Sequence, residues 1–369
     1  MMYAHCMSQK KSYKELLFDL ARVRRDRRIP RRGVQPYKRC PFEYLLKSKN
    51  DQSLLNATGH DHASFAKLLA LFKPYYDYYT IDALTKQIRP KVLHDDGTPR
   101  GRMRDMKARG ALGLVLMWYR TKGSCTRSLA LMFGQTSTPM YRWLKFSRKV
   151  LLHVLSRNED AIVRLPTNEE VSFFKEVISA KYDNVPDVWA AADGLKLEIE
   201  QPQNDAAQNK LYNGWTHGHY VNSVFVFSPD GKIRMTLLNA PGTFHDSAMA
   251  DYGIYDKMEQ VYNETGGKVV VDSAFNIGQK DFLIKSSQQD PADANELLVN
   301  RDATSVRQLS EWGMRMIQGS FPRLTERIMY EERGDRKINL SLMVHLYNYQ
   351  TSQVYQPNFK FVLRRKFVL

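Results

Sequence analysis

The sequence has few cysteines and no long apolar run. Its three cysteines, Cys6, Cys40 and Cys125, are widely spaced and odd in number, which favours neither a disulfide framework nor a zinc site. The longest apolar stretch, residues 111–119, is far shorter than the roughly 20 residues of a membrane span. The N-terminus also lacks the apolar core of a signal peptide. We therefore expect an intracellular soluble protein with ordinary free thiols and no membrane partner.

Acidic residues are scarce in the first part of the chain. Residues 1–157 contain 32 Lys and Arg against 11 Asp and Glu, whereas the remainder contains 23 against 28, so the net charge of +16 is unevenly placed. A basic half of this kind is typical of a protein that binds a polyanion. The acidic half contains carboxylates that could bind cations.

Basic residues are densest near the N-terminus. Seven arginines lie between Arg22 and Arg32, in the sequence RVRRDRRIPRR. Such a run is typical either of a nuclear-localisation or nucleic-acid-contacting arm or of a plain solvated tail, and the pattern does not choose between them. We expect residues 1–50 to form a basic, disordered arm and residues 356–369 to form a basic tail.

Residues 51–157 have helical periodicity and predict an all-α, helix-turn-helix-like DNA-binding domain. The segments 106–119, 124–133 and 137–155 are separated by short breaks. The third segment, STPMYRWLKFSRKVLLHVL, is the expected recognition helix, and the alternative is a plain three-helix bundle with a solvated basic face. The cations expected to contact double-stranded DNA are Arg127, Arg142, Lys145, Arg148 and Lys149.

The hydrophobic period changes from helical to strand-like near residue 185, which predicts a second, α/β domain over residues 185–355. Alternating apolar and polar residues, a Ser-Pro-Asp-Gly turn and a Val-Val-Val run together indicate a mixed sheet flanked by helices. The predicted strands are residues 188–199, 220–227, 232–238 and 269–271, and the predicted helices are residues 304–327 and 335–353.

Two aspartates interrupt the strand pattern. Asp193 lies on the apolar face of the first strand, where a charge violates the pattern. Alternatively, Asp193 and Gly194 form a hairpin turn that exposes the carboxylate to solvent, and the pattern leaves both interpretations open. Asp272 ends the Val-Val-Val strand, where an ionised carboxylate is costly unless it is paired, hydrogen-bonded or bound to a cation.

Further candidates lie on the predicted helices. Glu311 points away from the apolar stripe of its helix, with Arg307 and Arg315 one turn to either side. Taken alone, this spacing is more typical of a solvated glutamate in helical ion pairs. His245 and Asp246 could contact a metal or the substrate, although helix capping is the commoner role for an aspartate at such a position.

Asp193, Asp272 and Glu311 could converge at one edge of the sheet. Three hard oxygen ligands without a thiolate or imidazole cluster suit Mg²⁺ or Mn²⁺. Two such ions would activate a water and stabilise the leaving oxygen of a phosphoryl transfer. Beside a DNA-binding domain, this chemistry predicts an enzyme that cuts or joins DNA strands.

Four blocks of the sequence carry a family resemblance. AADGLKLEI, APGTFHDSAM, VVVDSAFNIGQKDFLI and SVRQLSEWGMRMIQGSFPRL resemble, in this order, the DDE nuclease domain of PIF/Harbinger transposases. The resemblance covers about residues 185–350, and residues 106–155 are similar to the helix-turn-helix region that precedes this domain in the family. It implies an RNase H-like fold, Mg²⁺-dependent cut-and-paste transposition, and a catalytic and metal-binding triad of Asp193, Asp272 and Glu311.

The resemblance also implies partners. These are the double-stranded DNA of the element ends and target, and a separate Myb-like DNA-binding protein, in the nucleus; a homo-oligomer is left open. Where the family often has Leu-His-Asn, this chain has Leu346, Tyr347 and Asn348. Family members can also be retained by a host as DNA-binding proteins without cleavage activity. A nuclease of the same fold that acts on RNA or repair intermediates is a further alternative.

Overall fold

A computed structural model gives the structure of residues 29–101, 104–123, 126–275, 278, 280–286, 293–328 and 333–355. Cys6, Cys125, residues 1–28 of the expected basic arm and the expected tail 356–369 lie outside these ranges. Cys40 is a buried free thiol, as expected. None of the helices in the described ranges is both long and apolar enough to cross a membrane.

The first half of the chain is mainly helical. Its elements are α1 (Pro41–Lys47), α2 (Asp51–Thr58), α3 (His62–Tyr78), the antiparallel hairpin of β1 (Tyr79–Ile81) and β2 (Ile88–Pro90), α4 (Ala108–Arg120), α5 (Thr126–Met132) and α6 (Ser137–Leu155). The side chains of Asn50 and Asp61 cap α2 and α3, each satisfying a free N–H of the first turn. The three predicted helices after residue 105 are therefore present.

The second half of the chain alternates helices and strands. Its helices are α7 (Asn168–Ser179), α8 (Asp205–Leu211), α9 (Asp246–Ala250), α10 (Ile254–Thr265), α11 (Ala294–Ser320) and α12 (Arg333–Gln350). Its strands are β3 (Val188–Glu198), β4 (Tyr212–Asn213), β5 (Gly218–Phe227), β6 (Ile233–Pro241), β7 (Lys268–Val271) and β8 (Leu283–Lys285). All four predicted strands and both predicted helices of this region are confirmed.

The sheet is mixed and centred on β3. This strand pairs antiparallel with β5 and parallel with β7, which in turn pairs parallel with β8. Strand β6 pairs antiparallel with β5, and the two-residue β4 pairs with the start of β5. Strand β3 therefore lies between the antiparallel and the parallel parts of the sheet.

Successive residues of β3 face opposite layers of helices. Ala191 belongs to the hydrophobic cluster that includes Val306 and Leu309 of α11. Ala190 and Ala192 belong to a second cluster, which includes residues of α7 and α10. Because side chains alternate along a strand, every second residue from Ala191 faces α11.

The start of α11 differs from the predicted start at residue 304. The side chain of Asp293 accepts a hydrogen bond from the backbone N–H of Glu296 at 2.8 Å, and this cap starts the helix at Ala294. The helix therefore begins ten residues before its predicted start. The helix ends at Ser320 rather than at residue 327, shortly before Pro322.

The end of the expected basic arm also differs from the prediction, because it is folded. Phe42 is fully buried in α1. Its ring fills the space beside Gly113 of α4, where an added Cβ would lie 2.0 Å from a ring carbon. Residues 31–47 therefore form part of the folded protein rather than a disordered arm.

The two predicted domains share one core. A single cluster of buried apolar side chains runs from Tyr37 to Tyr349. Helix α6 packs against α12, and the Tyr119 hydroxyl of α4 donates a hydrogen bond to the Asn339 carbonyl of α12 at 2.9 Å. The helices of the first half therefore pack against the α/β half and share its hydrophobic core.

Candidate active site

The pairing of β3 with β7 brings Asp193 and Asp272 together. Ala191 pairs with Val270 in parallel register, and the two aspartates follow two residues later on their respective chains. Both carboxylates therefore project on the α11 side of the sheet, on neighbouring strands whose backbones are about 4.8 Å apart. The parallel register thus brings Asp193, within β3, close to Asp272, which directly follows β7.

The alternative interpretation of Asp193 as a turn residue is wrong. Asp193 pairs with Phe225 and Gly194 pairs with Val224, both within the β3–β5 ladder. The backbone N–H of Gly194 donates a hydrogen bond to Asp193 Oδ1 at 2.7 Å. The carboxylate is therefore oriented by its own strand at the middle of the sheet.

Helix α11 approaches the sheet closely at Gly313. A Cβ added at this glycine would lie 2.4 Å from a ring carbon of Phe227 on β5. Only glycine permits this distance without displacement of the ring. Glu311 lies two residues earlier on the same helix, and its link to the aspartates is Arg307, which contacts both Glu311 and Asp272.

Arg307 links two of the three predicted triad members. Its Nη2 donates a hydrogen bond to Glu311 Oε1 at 3.0 Å, and its Nη1 lies 3.9 Å from Asp272 Oδ2. The Arg307 Nε is buried and has no hydrogen-bond partner among the described residues. Asp272 also accepts a hydrogen bond from the backbone N–H of Ala274. A cation of the protein itself therefore balances part of the negative charge.

Asp246 is a fourth carboxylate at this site. It is the first residue of α9, and its Oδ1 would lie 2.4 Å from a Cβ added at Gly194. The N-cap position is His245, whose exposed side chain makes no capping hydrogen bond. The prediction that Asp246 caps the helix is therefore wrong, because its carboxylate packs over β3 instead.

The site is short of positive charge. The pKa of Asp193 is raised from its ordinary 3.8 to about 6, chiefly by burial and also by the charges of Asp272 and Asp246, while the Gly194 N–H and Arg307 act to lower it. Burial, followed by the charge of Asp272, also raises the pKa of Asp246. A bound cation stabilises the ionised form of buried carboxylates whose pKa values are raised in this way.

The donor set partly fits a divalent ion. Asp193 and Asp272 offer hard oxygen ligands side by side, as Mg²⁺ and Mn²⁺ prefer. Within the described residues, however, no three Asp, Glu, His or Cys side chains are grouped so that they could hold a metal ion. Glu311 forms an ion pair with Arg307 at 3.0 Å. Arg315, the other predicted neighbour, is exposed and forms no ion pair with Glu311 in this structure.

The cations predicted to contact DNA have unequal surroundings. Arg127 and Arg142 are exposed. Lys145 forms an ion pair with Asp335 of α12 at 2.7 Å, which raises the pKa of the lysine, and the Lys149 ammonium donates to the carbonyl of Lys86. Two of the five are therefore free to reach a phosphate without breaking a contact seen in this structure.

Arg148 differs most from its predicted role. Its side chain is 2% exposed. The guanidinium donates to the side-chain oxygen of Asn339 and lies 4.5 Å from the centre of the Trp118 ring. Helix α6 is packed against α3, α4 and α12, so it cannot lie along a DNA groove over its full length, and Arg148 holds it to α12.

A comparison with known families places the site in context. Residues 192–348 match the family model of the DDE superfamily endonuclease. The matched segment starts next to Asp193 and includes Asp272 and Glu311. No curated protein and no solved structure gave a match. The resemblance to a DDE nuclease is therefore confirmed for this part of the chain, and it supports a nuclease- or transposase-like function.

The DDE endonuclease domain implies an RNase H-like fold, and the observed mixed sheet flanked by helices agrees with it. Its last matched residue, Asn348, was given no role from the sequence. The buried Asn348 side chain accepts from the Ile233 N–H at 2.9 Å and donates to the Ile233 carbonyl at 3.0 Å. The Tyr347 hydroxyl donates to the Gly231 carbonyl at 3.0 Å. This segment therefore anchors the β5–β6 hairpin to α12.

Proposed function

We propose that this chain is a metal-dependent DNA endonuclease of the PIF/Harbinger transposase type, which cuts and joins DNA strands with Asp193, Asp272 and Glu311. The main support is the β3–β7 register, which brings Asp193 close to Asp272. The α11 helix, which bears Glu311, packs on this face of β3. The family match over residues 192–348 supports the nuclease class.

The proposed cofactor is Mg²⁺ or Mn²⁺, with two ions in the working site. DDE endonucleases typically use divalent metals. Asp193 and Asp272 would hold the metal, and Glu311 would join them once released from Arg307. When bound, the metal supplies activation of a water nucleophile and stabilisation of the leaving oxygen. The protein contributes orientation, through the Gly194 N–H on Asp193.

The proposed substrate is double-stranded DNA at the ends of a mobile element and at its target. A Myb-like partner protein, a homo-oligomeric assembly and a nuclear location belong to the same proposal. The exposed cations of the helical half, together with the +16 net charge, support a DNA partner, because phosphate binding depends on unneutralised Lys and Arg.

One observation favours a second candidate, a DNA-binding protein retained without cleavage activity. Arg307 contacts both Asp272 and Glu311, so the site is partly neutralised without a metal. In this case the carboxylates would stabilise the fold, and DNA binding would persist without cutting.

The two candidates are separated by cleavage of labelled duplex DNA that carries the flanking repeats, with the partner protein supplied, in Mg²⁺, Mn²⁺ or EDTA. We expect metal-dependent nicking by the wild type and a loss of roughly a hundredfold or more in Asp272→Asn, since even residues behind the ligands of a metal site affect activity by 10–100-fold. Asp193→Asn and Glu311→Gln should behave likewise. DNA affinity should stay equal or improve, because anionic groups beside a phosphate are removed.

Asp256→Asn is the matched control, since this aspartate is exposed on α10, away from the site. Equal cutting by Asp272→Asn and the wild type would refute the assignment of Asp272. Binding without cutting in any metal would favour the retained DNA-binding protein.

A further inference from the structure

A large basic cleft opens in the helical half of the protein. Its volume is about 1460 Å³, and its walls are the turn at Tyr37–Arg39, the chain from β1 to residue 107, and the first half of α6. Nine of its lining residues are Lys or Arg, whereas Asp105 is the one acidic residue among the described residues that line it. None of the predicted DNA contacts except Arg142 belongs to this cleft.

Three of the nine cations are engaged in contacts with other protein groups of the cleft walls. The Arg31 guanidinium donates to the Gly134 carbonyl at 3.0 Å, and Arg89 pairs with Asp82 at 3.2 Å. Arg104 donates to two backbone carbonyls at the end of α3 and stacks on the ring of Phe146, 4.6 Å from its centre. These contacts hold the segments of the cleft together.

The other six cations form no ion pair with any residue that the structure describes. They are Lys38, Arg39, Lys91, Arg100, Lys107 and Arg142. All are exposed except Lys91, which is half-buried. Burial and then the nearby charge of Arg104 lower the pKa of Lys91, and the charge of Asp77 opposes them without cancelling the shift. Like charges therefore accumulate here. Such an accumulation destabilises the free protein and favours a polyanionic partner.

The dimensions and chemistry of the cleft favour a phosphodiester backbone over a single small anion. Six unpaired cations on three separate chain segments are more than one phosphate can contact, and they line an open cleft. Arginine forks match phosphate oxygens in a bidentate manner, and lysines add point charges. Repeated phosphates along a duplex could meet cations on all three walls.

We propose that this cleft, rather than the length of α6, binds the backbone of double-stranded DNA. The choice of DNA as the occupant rests on the proposed function. Arg142 contributes from the start of α6, whereas the cations in the second half of that helix are engaged in the fold.

The test compares two triple variants with the same change in net charge. The first, Lys38→Gln/Arg100→Gln/Arg142→Gln, removes one cation from each wall of the cleft. The second, Lys47→Gln/Lys257→Gln/Lys337→Gln, removes three exposed cations outside it. Affinity for a labelled duplex is measured by fluorescence anisotropy in EDTA, between roughly 50 and 200 mM salt, a range over which binding through several phosphate contacts weakens steeply.

We expect the cleft variant to lose at least tenfold in affinity and to flatten the log–log salt slope by about 2.7, since each phosphate contact contributes about 0.9. The control variant should keep the wild-type slope. Equal losses in both variants, or no loss in the cleft variant, would overturn the proposal. Poly-glutamate that competes as well as duplex DNA per unit charge would also overturn it, in favour of an acidic protein partner.

The outcome is independent of cleavage, because EDTA excludes metal-dependent chemistry. A protein that binds through the cleft but never cuts would refute the nuclease and leave the cleft intact. A protein that cuts DNA, and whose cleft variant binds DNA normally, would support the nuclease and refute the cleft. Thermal melting checks the fold of each variant, and the single variant Arg142→Gln, with an expected slope change of about 0.9, serves if the triple variant fails to fold.

Discussion

The carboxylate site and the basic cleft both concentrate charges of one sign, but they differ in how the fold treats those charges. At the carboxylate site, Arg307 and two backbone N–H groups partly balance the aspartates and Glu311. In the cleft, six cations have no ion-pair partner among the described residues. Partial balance suits a site that takes a small cation, whereas an open row of cations suits a long polyanion.

Two arginines of helix α6 show the same contrast between a charge that is available and a charge that the fold engages. Arg142 is exposed at the cleft, whereas Arg148 is buried against Asn339 and Trp118. The two arginines share a residue type and a helix, and the neighbouring elements alone make one available and the other structural. Charge that the fold has not engaged is therefore the better indicator of binding.

The largest stability effect is expected at Asp193. Its pKa is raised from 3.8 to about 6, so the folded state binds the proton more tightly than the unfolded state does. Its contribution to stability is present below about pH 4 and is lost as the pH rises through 6. In EDTA at pH 8, Asp193→Asn should therefore raise the free energy of unfolding by up to about 3 kcal/mol.

Urea unfolding of the wild type and Asp193→Asn between pH 4 and 8 measures this difference. The mutant should lack the fall in stability between pH 4 and 6, while Asp256→Asn should retain it. An identical pH dependence in all three proteins would show that the Asp193 carboxylate is not strained by its surroundings.

The two arginines of α6 should respond oppositely to the same truncation. Arg148→Ala should lower the free energy of unfolding by about 2 kcal/mol, because it leaves the Asn339 side chain without this donor and removes the contact with Trp118. Arg142→Ala should change it by less than about 0.5 kcal/mol. DNA affinity should fall for Arg142→Ala and not for Arg148→Ala at a temperature where both are folded. The reverse ranking of affinities would restore Arg148 as a DNA contact.

Alanine substitutions at two glycines of α11 distinguish the effect of helix propensity from that of close packing. Gly313→Ala should lower the free energy of unfolding by about 1–3 kcal/mol, because its Cβ would overlap the Phe227 ring. At Gly319 an added Cβ meets no atom of a neighbouring element within 4 Å among the residues that the structure describes, so Gly319→Ala should raise stability by up to about 1 kcal/mol. Chemical denaturation of both variants measures the contrast, and stabilisation by both would mean that α11 does not depend on this contact.

Arg307 should compete with a metal for the carboxylates. Arg307→Gln removes the positive charge beside Asp272 and Glu311, so Mn²⁺ should bind roughly tenfold more tightly. Isothermal titration of Mn²⁺ into the wild type, Arg307→Gln and the control Arg315→Gln measures the effect. Weaker binding by Arg307→Gln would show instead that this arginine positions Glu311 for the metal.

Local patterns in the sequence were sufficient for much of the fold and for the two aspartates. Alternation along residues 188–199 and the short Val-Val-Val run define β3 and β7; Asp193 lies in the middle of β3, and Asp272 directly follows β7. What could not be predicted depends on contacts between distant residues. The position of Asp246 over Gly194 requires the turn into α9, and the burial of Phe42 beside Gly113 requires α1 to dock on α4.

The surroundings of three predicted DNA contacts also depend on distant residues. The periodicity of α6 places Lys145, Arg148 and Lys149 on a basic face, but the face is covered by Asp335 and Asn339 of α12, almost two hundred residues later, and by the β1–β2 hairpin. Likewise, the spacing of four between Arg307 and Glu311 predicts their pair, whereas the contact of Arg307 with Asp272 depends on tertiary packing.

The central claim, that Asp193, Asp272 and Glu311 form a divalent metal site, is tested most directly by anomalous diffraction from crystals soaked in Mn²⁺. The account predicts an anomalous peak in contact with the carboxylates of Asp193 and Asp272, with Glu311 released from Arg307. An absence of any peak there, with the Arg307 ion pairs to Asp272 and Glu311 intact at saturating Mn²⁺, would contradict it.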